Sequence, residues 1–208
     1  MFKKTIILAL AAMAVLAVSA PAASASWYKH HQVIQADQQI ELTGQWKYQA
    51  LAVGSIECQA RSTVRLLAGQ TTAHFEAFSL DTETGKTPTE LCFMGGLLAQ
   101  CDVTDLIADA SPQSPWVAHL LQNKDTISLT TGTIQTKLES TAPGHNACNI
   151  VQQLQLKPGT LHATVASGET CTLNKIIWSG QLETQTGAKV QFGGTQNLLP
   201  GETYGTLC

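Results

Sequence analysis

The sequence is short of the residues that mark several large functional classes. Lysine and arginine number 12 against 15 aspartates and glutamates, so the formal net charge is −3. A basic surface for nucleic acid is therefore excluded. Charged residues make up 13% of the chain and hydrophobic residues 44%, which is typical of a globular domain rather than of a disordered segment.

Long apolar runs are absent after residue 25, so no membrane span is expected once the start of the chain has been removed. Residues 1–25 have the pattern of an export signal: a positively charged start, the apolar stretch Ile6–Val18, and small residues at 23–25. A retained anchor is the alternative, although a span needs about 20 apolar residues. We predict cleavage before Ser26 and a single domain over 26–208 that is secreted, at the cell surface or periplasmic.

Six cysteines lie in the predicted mature part, at Cys58, Cys92, Cys101, Cys148, Cys171 and Cys208. An even number in an exported chain predicts three disulfides. Zinc sites use closely spaced ligand pairs, and none of these cysteines is close enough to another to form one. Proximity along the chain suggests the pairs Cys92–Cys101, Cys148–Cys171 and Cys58–Cys208, and the other pairings stay open.

Apolar and polar residues alternate with a period of two through most of the mature part, which predicts β-strands. The strands predicted in this way are Ile40–Tyr48, Val64–Leu67, Ala73–Leu80, Ile127–Leu138, Ile150–Leu156, Thr160–Val165, Cys171–Leu182 and Thr186–Phe192. The apolar parity changes at Gly132, which predicts a bend or bulge there. Short strands separated by Gly and Pro turns are typical of an antiparallel β-sandwich or an open barrel.

One segment has a helical pattern. Asp102 and Asp105 resemble a capping box at the start of Asp102–Ala110, and apolar residues three and four positions apart share one face. We therefore predict an all-β, disulfide-stapled domain with at most one short helix, of one or two turns, in this segment.

Catalytic motifs are also lacking. Thr84-Gly85-Lys86-Thr87 looks like the end of a phosphate-binding loop, but Leu80 stands where the first glycine is needed. G-x-S-x-G and H-E-x-x-H do not occur. We predict that the protein is not an enzyme and uses no cofactor. The alternative is a hydrolase that assembles a site from scattered serine, aspartate and histidine residues, with His74, His119 and His162 as the histidines.

Metal-ligating residues are present without a metal-binding pattern. His30 and His31 are adjacent, and neighbours in an extended chain do not face one ion well. His74 alternates with Glu76 and could form a two-ligand patch, but a solvated strand face is the better interpretation. The aspartates of the predicted helix lack the spacing of a calcium loop. No metal site is predicted.

Two aromatic residues, Trp46 and Tyr48, share one face of a predicted strand. Exposed rings on a sheet face would suit a carbohydrate-binding module, whereas core packing is the usual role of such residues. Trp46, Tyr48 and Trp116 are therefore the candidate residues for a ligand or assembly surface.

Several features occur in the order found in one family of small exported bacterial β proteins: Cys101, Pro115-Trp116, Cys148 and Cys171, with the Thr-rich strand Ile127–Ile134 between them. Over roughly residues 40–180 the chain resembles this family, the alkane-oxidation activator proteins, which include biofilm-associated surface proteins. Ser114 departs from the family pattern, in which a Gly-Leu or similar turn precedes the proline.

The resemblance implies a secreted, non-enzymatic protein of the extracellular matrix or cell surface that acts in biofilm, surface assembly or adhesion. Its expected partners are further copies of itself or a matrix polymer. Contacts would come from an unpaired sheet edge or from the segment Trp27–Ile40. A carbohydrate-binding module is the main alternative.

Overall fold

The computed structural model describes residues 26–29, 32–50, 54–121, 126–141, 148, 153–166, 173–199 and 204–206. The predicted export signal, His30, His31, Cys171 and Cys208 lie outside these ranges. No helix in the described part of the chain is both long and apolar enough to cross a membrane.

The described residues are mostly in strands. The strands are β1 (Trp27–Lys29), β2 (Gln32–Val33), β3 (Gln38–Ala50), β4 (Gly54–Leu66), β5 (Thr72–Leu80), β6 (Cys92–Gly96), β7 (Cys101–Ala108), β8 (Trp116–Leu120), β9 (Thr126–Thr131), β10 (Ile134–Ser140), β11 (Gln153–Leu156), β12 (Gly159–Ala166), β13 (Lys175–Glu183), β14 (Lys189–Leu198) and β15 (Tyr204–Thr206). Among the described residues, helical structure occurs as a 3₁₀ turn at Thr82–Thr84, as one helical turn, α1 (Pro88–Leu91), and at Cys148.

The largest sheet closes on itself. Its strand order is β3-β14-β13-β12-β9-β8-β5-β4, and β3 also pairs with β4, so eight strands form a ring in which each neighbour is antiparallel. The predicted all-β antiparallel fold is therefore confirmed, and its form is a closed barrel. Closure leaves these eight strands with a partner on both sides.

The inside of the barrel is filled with side chains, because one alternating set of residues on each barrel strand is mainly apolar and points inwards. On β3 the inward set includes Leu42 and Trp46, and both are buried. The ring of Trp46 lies 4.4 Å from Phe78, 4.6 Å from Phe192 and 5.8 Å from Trp178, measured between centroids. The barrel therefore encloses a packed aromatic core.

Two small sheets flank the barrel. Sheet β15-β1-β2 carries Trp27, whose indole Nε1 donates to the carbonyl of Thr72 at 3.0 Å. In the segment Trp27–Ile40, predicted as an assembly strand, the described residues 27–29 and 32–40 include the buried Trp27 and Ile34, so this part of the segment is not a free strand for assembly.

The second small sheet has the strand order β11-β10-β7. Its central strand, β10, follows barrel strand β9 in the chain. The chain passes from β9 to β10 at Gly132, so the predicted bend is confirmed. A Cβ at Gly132 would collide with the carboxylate of Asp109. On β10, Thr136 is hydrogen-bonded to the hydroxyl of Tyr48, which joins this sheet to the barrel core.

The predicted helix at Asp102–Ala110 is wrong, because this segment is strand β7. Its pairing with β10 shifts register between Lys137 and Leu138, which leaves Thr104 as an extra residue between two ladder positions. Such a bulge places Val103 and Leu106 on the same buried side, three residues apart. Spacing of three is also the helical signature, which explains the error.

The helical turn occurs instead at α1, after Thr87. Thr87 and Glu90 form a capping box, in which the Glu90 carboxylate accepts from the Thr87 backbone N–H at 2.8 Å. The hydrogen bonds from the backbone and the hydroxyl of Thr87 lower the pKa of Glu90. Residues 82–87 before this turn are exposed, and Gly85 has the left-handed φ of 75° that favours glycine.

The predicted cysteine pairs are wrong. The disulfides in the described residues join Cys58 to Cys92 and Cys101 to Cys148. Cys58 and Cys92 are directly opposite each other on β4 and β6. Sheet neighbours rather than sequence neighbours therefore determine this pair, and the sequence alone did not reveal that β6 lies beside β4.

Candidate functional site

The aromatic residues proposed as a surface are buried. Trp46 is 1% exposed, Tyr48 3% and Trp116 4%. Trp46 and Tyr48 do share one strand face, as the alternation predicted, but that face is the inside of the barrel. The prediction that these three residues form a ligand or assembly surface is therefore wrong, and sugar stacking on Trp46 and Tyr48 is excluded.

Burial also determines the chemistry of Tyr48. Removal from water raises the pKa of its phenol well above the ordinary value, and the hydrogen bond with Thr136 offsets only part of this effect. The hydroxyl is therefore a neutral group at physiological pH and serves to anchor β3 to β10.

Two of the candidate histidines share an outer row of the barrel. His119 on β8 and His162 on β12 both lie directly across from Ser128 on β9. The Nδ1 atom of His119 is 3.4 Å from the hydroxyl of Thr72, on the side away from Ser128. Within the described residues no carboxylate is recorded within hydrogen-bond distance of either histidine, so the geometry does not assemble a hydrolase triad there.

The acidic candidates are engaged in structural contacts. Glu76 is only 6% exposed and forms an ion pair with Arg65 at 2.7 Å. Glu76 is the extra residue of a bulge in the β4–β5 pairing, so it and His74 do not alternate regularly along one strand face. The predicted solvated position is therefore wrong for Glu76, which is buried. No group of three metal-ligating residues occurs in the described ranges.

The aspartates near β7 are likewise occupied. Asp105 pairs with Lys137 at 3.3 Å. Asp109 accepts from the indole of Trp116 at 2.6 Å and from the backbone N–H of Thr133 at 2.8 Å. These contacts hold the strand ends around the Gly132 bend, which is a structural role.

The spacing of Ser26 and Lys29 matches the S-x-x-K motif of acyl-transfer enzymes, although no catalytic motif was predicted. The motif works on a helix, where residues three apart share a face. Here Ser26 directly precedes strand β1 and Lys29 is the last residue of that strand. The Lys29 Nζ lies 3.0 Å from the hydroxyl of Tyr204. The match in spacing therefore does not produce the catalytic geometry.

An exposed apolar surface lies at one edge of the large sheet. Strand β6 pairs with β4 and has no second partner strand in the described residues. On this strand Phe93 is 73% exposed, and Leu97, in the following turn, is 68% exposed. We call Phe93, Leu97 and strand β6 the edge surface.

A shallow recess of about 420 Å³ lies on the outside of the barrel, across β3, β14 and β13. Gly193 lies opposite Lys47 on β3 and opposite Ser179 on β13. The side chains around it are Gln45, Lys47, Gln49, Glu57, Ile177, Ser179, Gln191 and Thr195. We call this depression the Gly193 recess.

Neither surface was predicted, although both leave a signal in the sequence. Phe93 lies between Cys92 and the pair Gly95-Gly96 in a short strand. The strand has few large side chains, so its neighbours in sequence do not cover the Phe93 ring. Gly193-Gly194 interrupts an alternating strand, which is a known sign of close approach or an open site. Both signals become interpretable only when the neighbouring strands are known.

Comparisons with protein-family models, curated proteins and solved structures found no match. The resemblance to the alkane-oxidation activator family therefore stays a prediction. The fold itself defines the class: an antiparallel eight-stranded barrel with a packed core and disulfides, which offers its outer surface and one sheet edge for contacts.

Proposed function

We propose that the protein is a secreted or cell-surface, non-enzymatic protein that acts in surface assembly or adhesion by associating with further copies of itself. The observation that carries this proposal is the edge surface. A protein that presents two large apolar side chains at the open edge of a sheet has a site for strand addition.

The hydrogen bonding of β6 supports the same proposal. The Cα atoms of Cys58 and Cys92 are 4.1 Å apart, which is typical of a non-hydrogen-bonded antiparallel pair. The pattern alternates, so Phe93 bonds to β4 while the N–H and C=O of Met94 point to the open side. An incoming antiparallel strand would satisfy these groups.

A second copy of β6 suits this edge because the strand is self-complementary. In an antiparallel pair centred on Met94, each Phe93 lies opposite Gly95 of the other copy, on the same outer face. Gly95 has no side chain, so the ring has space. The Cys58–Cys92 disulfide holds β6 in place and reduces the entropy lost on pairing.

The remaining described surface supports a non-enzymatic role. The candidate catalytic side chains do not converge, and the barrel interior is occupied by the aromatic core. Export is supported by the two disulfides, which form and persist in oxidising compartments.

Sedimentation velocity of the oxidised protein over a concentration series tests the proposal, with negative-stain microscopy of the concentrated samples. We expect concentration-dependent association of the wild type and a monomer for Phe93→Arg, because a charge on this edge blocks strand addition. Leu121→Arg is the matched control, since Leu121 is also an exposed apolar residue but lies outside the edge surface.

Self-association that Phe93→Arg abolishes and Leu121→Arg retains would support the assignment. A wild type that stays monomeric at the highest concentration would contradict the proposed function. If both variants still associate, the protein self-associates through a surface other than β6, and the assignment of the contact to the edge surface is wrong.

A further inference from the structure

The Gly193 recess has a regular geometry. The outward positions of β3, β14 and β13 form a three-by-three grid, with Gly193 at its centre. The rows of this grid are Gln45–Thr195–Ile177, Lys47–Gly193–Ser179 and Gln49–Gln191–Gln181. With strands about 4.8 Å apart and outward residues about 6.7 Å apart along a strand, the grid spans about 10 by 13 Å, which accommodates one or two sugar rings.

The fold does not require glycine at position 193. Its φ is not positive, and a Cβ there would meet its nearest neighbour, the carbonyl oxygen of Trp178, at an ordinary 3.5 Å. Gly194 is different, because its Cβ would lie 2.5 Å from the carbonyl oxygen of Gln45. Glycine weakens a strand by about 0.5–1 kcal/mol relative to alanine. Neither backbone conformation nor packing therefore accounts for glycine at position 193. An open recess does account for it, because any larger side chain would fill the recess.

The walls of the recess are neutral and rich in hydrogen-bonding groups. Gln45, Gln49 and Gln191 supply amides that both donate and accept, and Ser179 and Thr195 supply hydroxyls. The structure records no hydrogen bond from these five side chains to the rest of the described protein. Their capacity is therefore directed outwards.

The recess also contains one ion pair and one exposed apolar side chain. The Lys47 ammonium lies 3.6 Å from the Glu57 carboxylate, so its charge is compensated. Ile177, 42% exposed, adds one apolar wall. A ligand that fits has many hydroxyls, no net charge and an apolar C–H face.

We propose that the Gly193 recess binds a neutral saccharide chain. An extended peptide fits less well, because β3, β13 and β14 each have two partners and offer no open backbone edge. This site is separate from the edge surface and does not depend on self-association. The recess has no exposed aromatic ring, so binding depends on hydrogen bonds that replace those with water. We therefore expect weak affinity for a single saccharide chain.

Three neutral hexasaccharides serve as probes in calorimetric titration: β-1,4-linked glucose, β-1,4-linked N-acetylglucosamine and α-1,4-linked glucose. A hexamer of galacturonate is the anionic comparison. The full-length mature protein carries Phe93→Arg, so that self-association does not contribute heat. We expect at least one neutral hexamer to bind and the galacturonate to bind at least about tenfold more weakly, which corresponds to about 1.4 kcal/mol.

Gly193→Val fills the recess and should weaken binding at least about tenfold. The fold should persist, because valine suits a strand and its Cβ would make only an ordinary van der Waals contact. Thr130→Val, at an exposed position of β9 outside the recess, is the matched control and should bind like the parent. Gln45→Ala and Gln191→Ala should each weaken binding severalfold.

Loss of binding in Gly193→Val with an unchanged circular dichroism spectrum and melting temperature would support the site. No binding of any neutral hexamer, equal binding by Gly193→Val and the parent, or a preference for galacturonate would each overturn it.

Discussion

Gln196 is a polar residue at the centre of an apolar interior. Its Nε2 donates to the Ser62 hydroxyl at 2.8 Å, and its Oε1 accepts from the Trp178 indole at 3.1 Å. Gln196→Leu keeps the volume but leaves two buried polar groups without their partner, so it should lower the free energy of unfolding by about 1–3 kcal/mol. Urea denaturation followed by fluorescence measures the loss. Gln191→Leu, on the outer face of the same strand, should change stability by less than about 0.5 kcal/mol, and equal effects would contradict the role of the network.

Tyr48 should make stability sensitive to alkaline pH. Its folded pKa is raised above the unfolded value of about 10. The stabilising contribution is therefore complete below pH 10 and decreases as pH rises towards the folded pKa, with a slope of up to about 1.4 kcal/mol per pH unit. Urea-unfolding free energies between pH 9 and 11 should fall less steeply for Tyr48→Phe than for the wild type. Tyr28→Phe controls for the loss of a phenol, and parallel curves for Tyr48→Phe and wild type would count against this coupling.

At the scale of elements, the two disulfides restrain β6 and the start of β7. They close segments with sequence separations of 34 and 47 residues. In the chain-entropy account, removal of either one should cost about 4 kcal/mol. The double variants Cys58→Ala/Cys92→Ala and Cys101→Ala/Cys148→Ala should each unfold at lower guanidinium concentration. Peptide mapping without reduction should link Cys58 to Cys92, and a Cys92–Cys101 peptide would refute the pairing.

The strands were predictable where one face of the sheet is buried throughout. Ile40–Tyr48 alternates cleanly and lies within β3, because one face of that strand lines the closed core. The prediction Thr186–Phe192 overlaps β14 only at residues 189–192, and β14 continues to Leu198. Prediction failed where the ladder is irregular: the bulge at Thr104 imitates a helical period. The two proposed binding surfaces were also missed, because the exposure of Phe93 and the recess at Gly193 depend on pairing with strands that are distant in sequence.

At the scale of the whole molecule, barrel closure joins distant parts of the chain. Strand β3 pairs with β14 over nine positions, from Leu42–Leu198 to Ala50–Val190. One buried cluster includes residues from all eight barrel strands. Local opening of one strand pair therefore exposes a core that all the others share, and the barrel should behave as one cooperative unit.

Gly194→Ala tests this cooperativity, because the added Cβ would push β14 away from the Gln45 carbonyl on β3 and so strain the β3–β14 pairing that closes the barrel. Such overpacking should lower the free energy of unfolding by about 1–3 kcal/mol. With disulfides intact, the urea transitions measured by tryptophan fluorescence and far-ultraviolet circular dichroism should shift together and stay superimposed. Gly193→Ala, one residue away, adds a Cβ that makes only an ordinary contact and should leave the midpoint unchanged or raise it. Separate transitions for the two probes would show that β3 and β14 can part while the rest of the barrel stays folded.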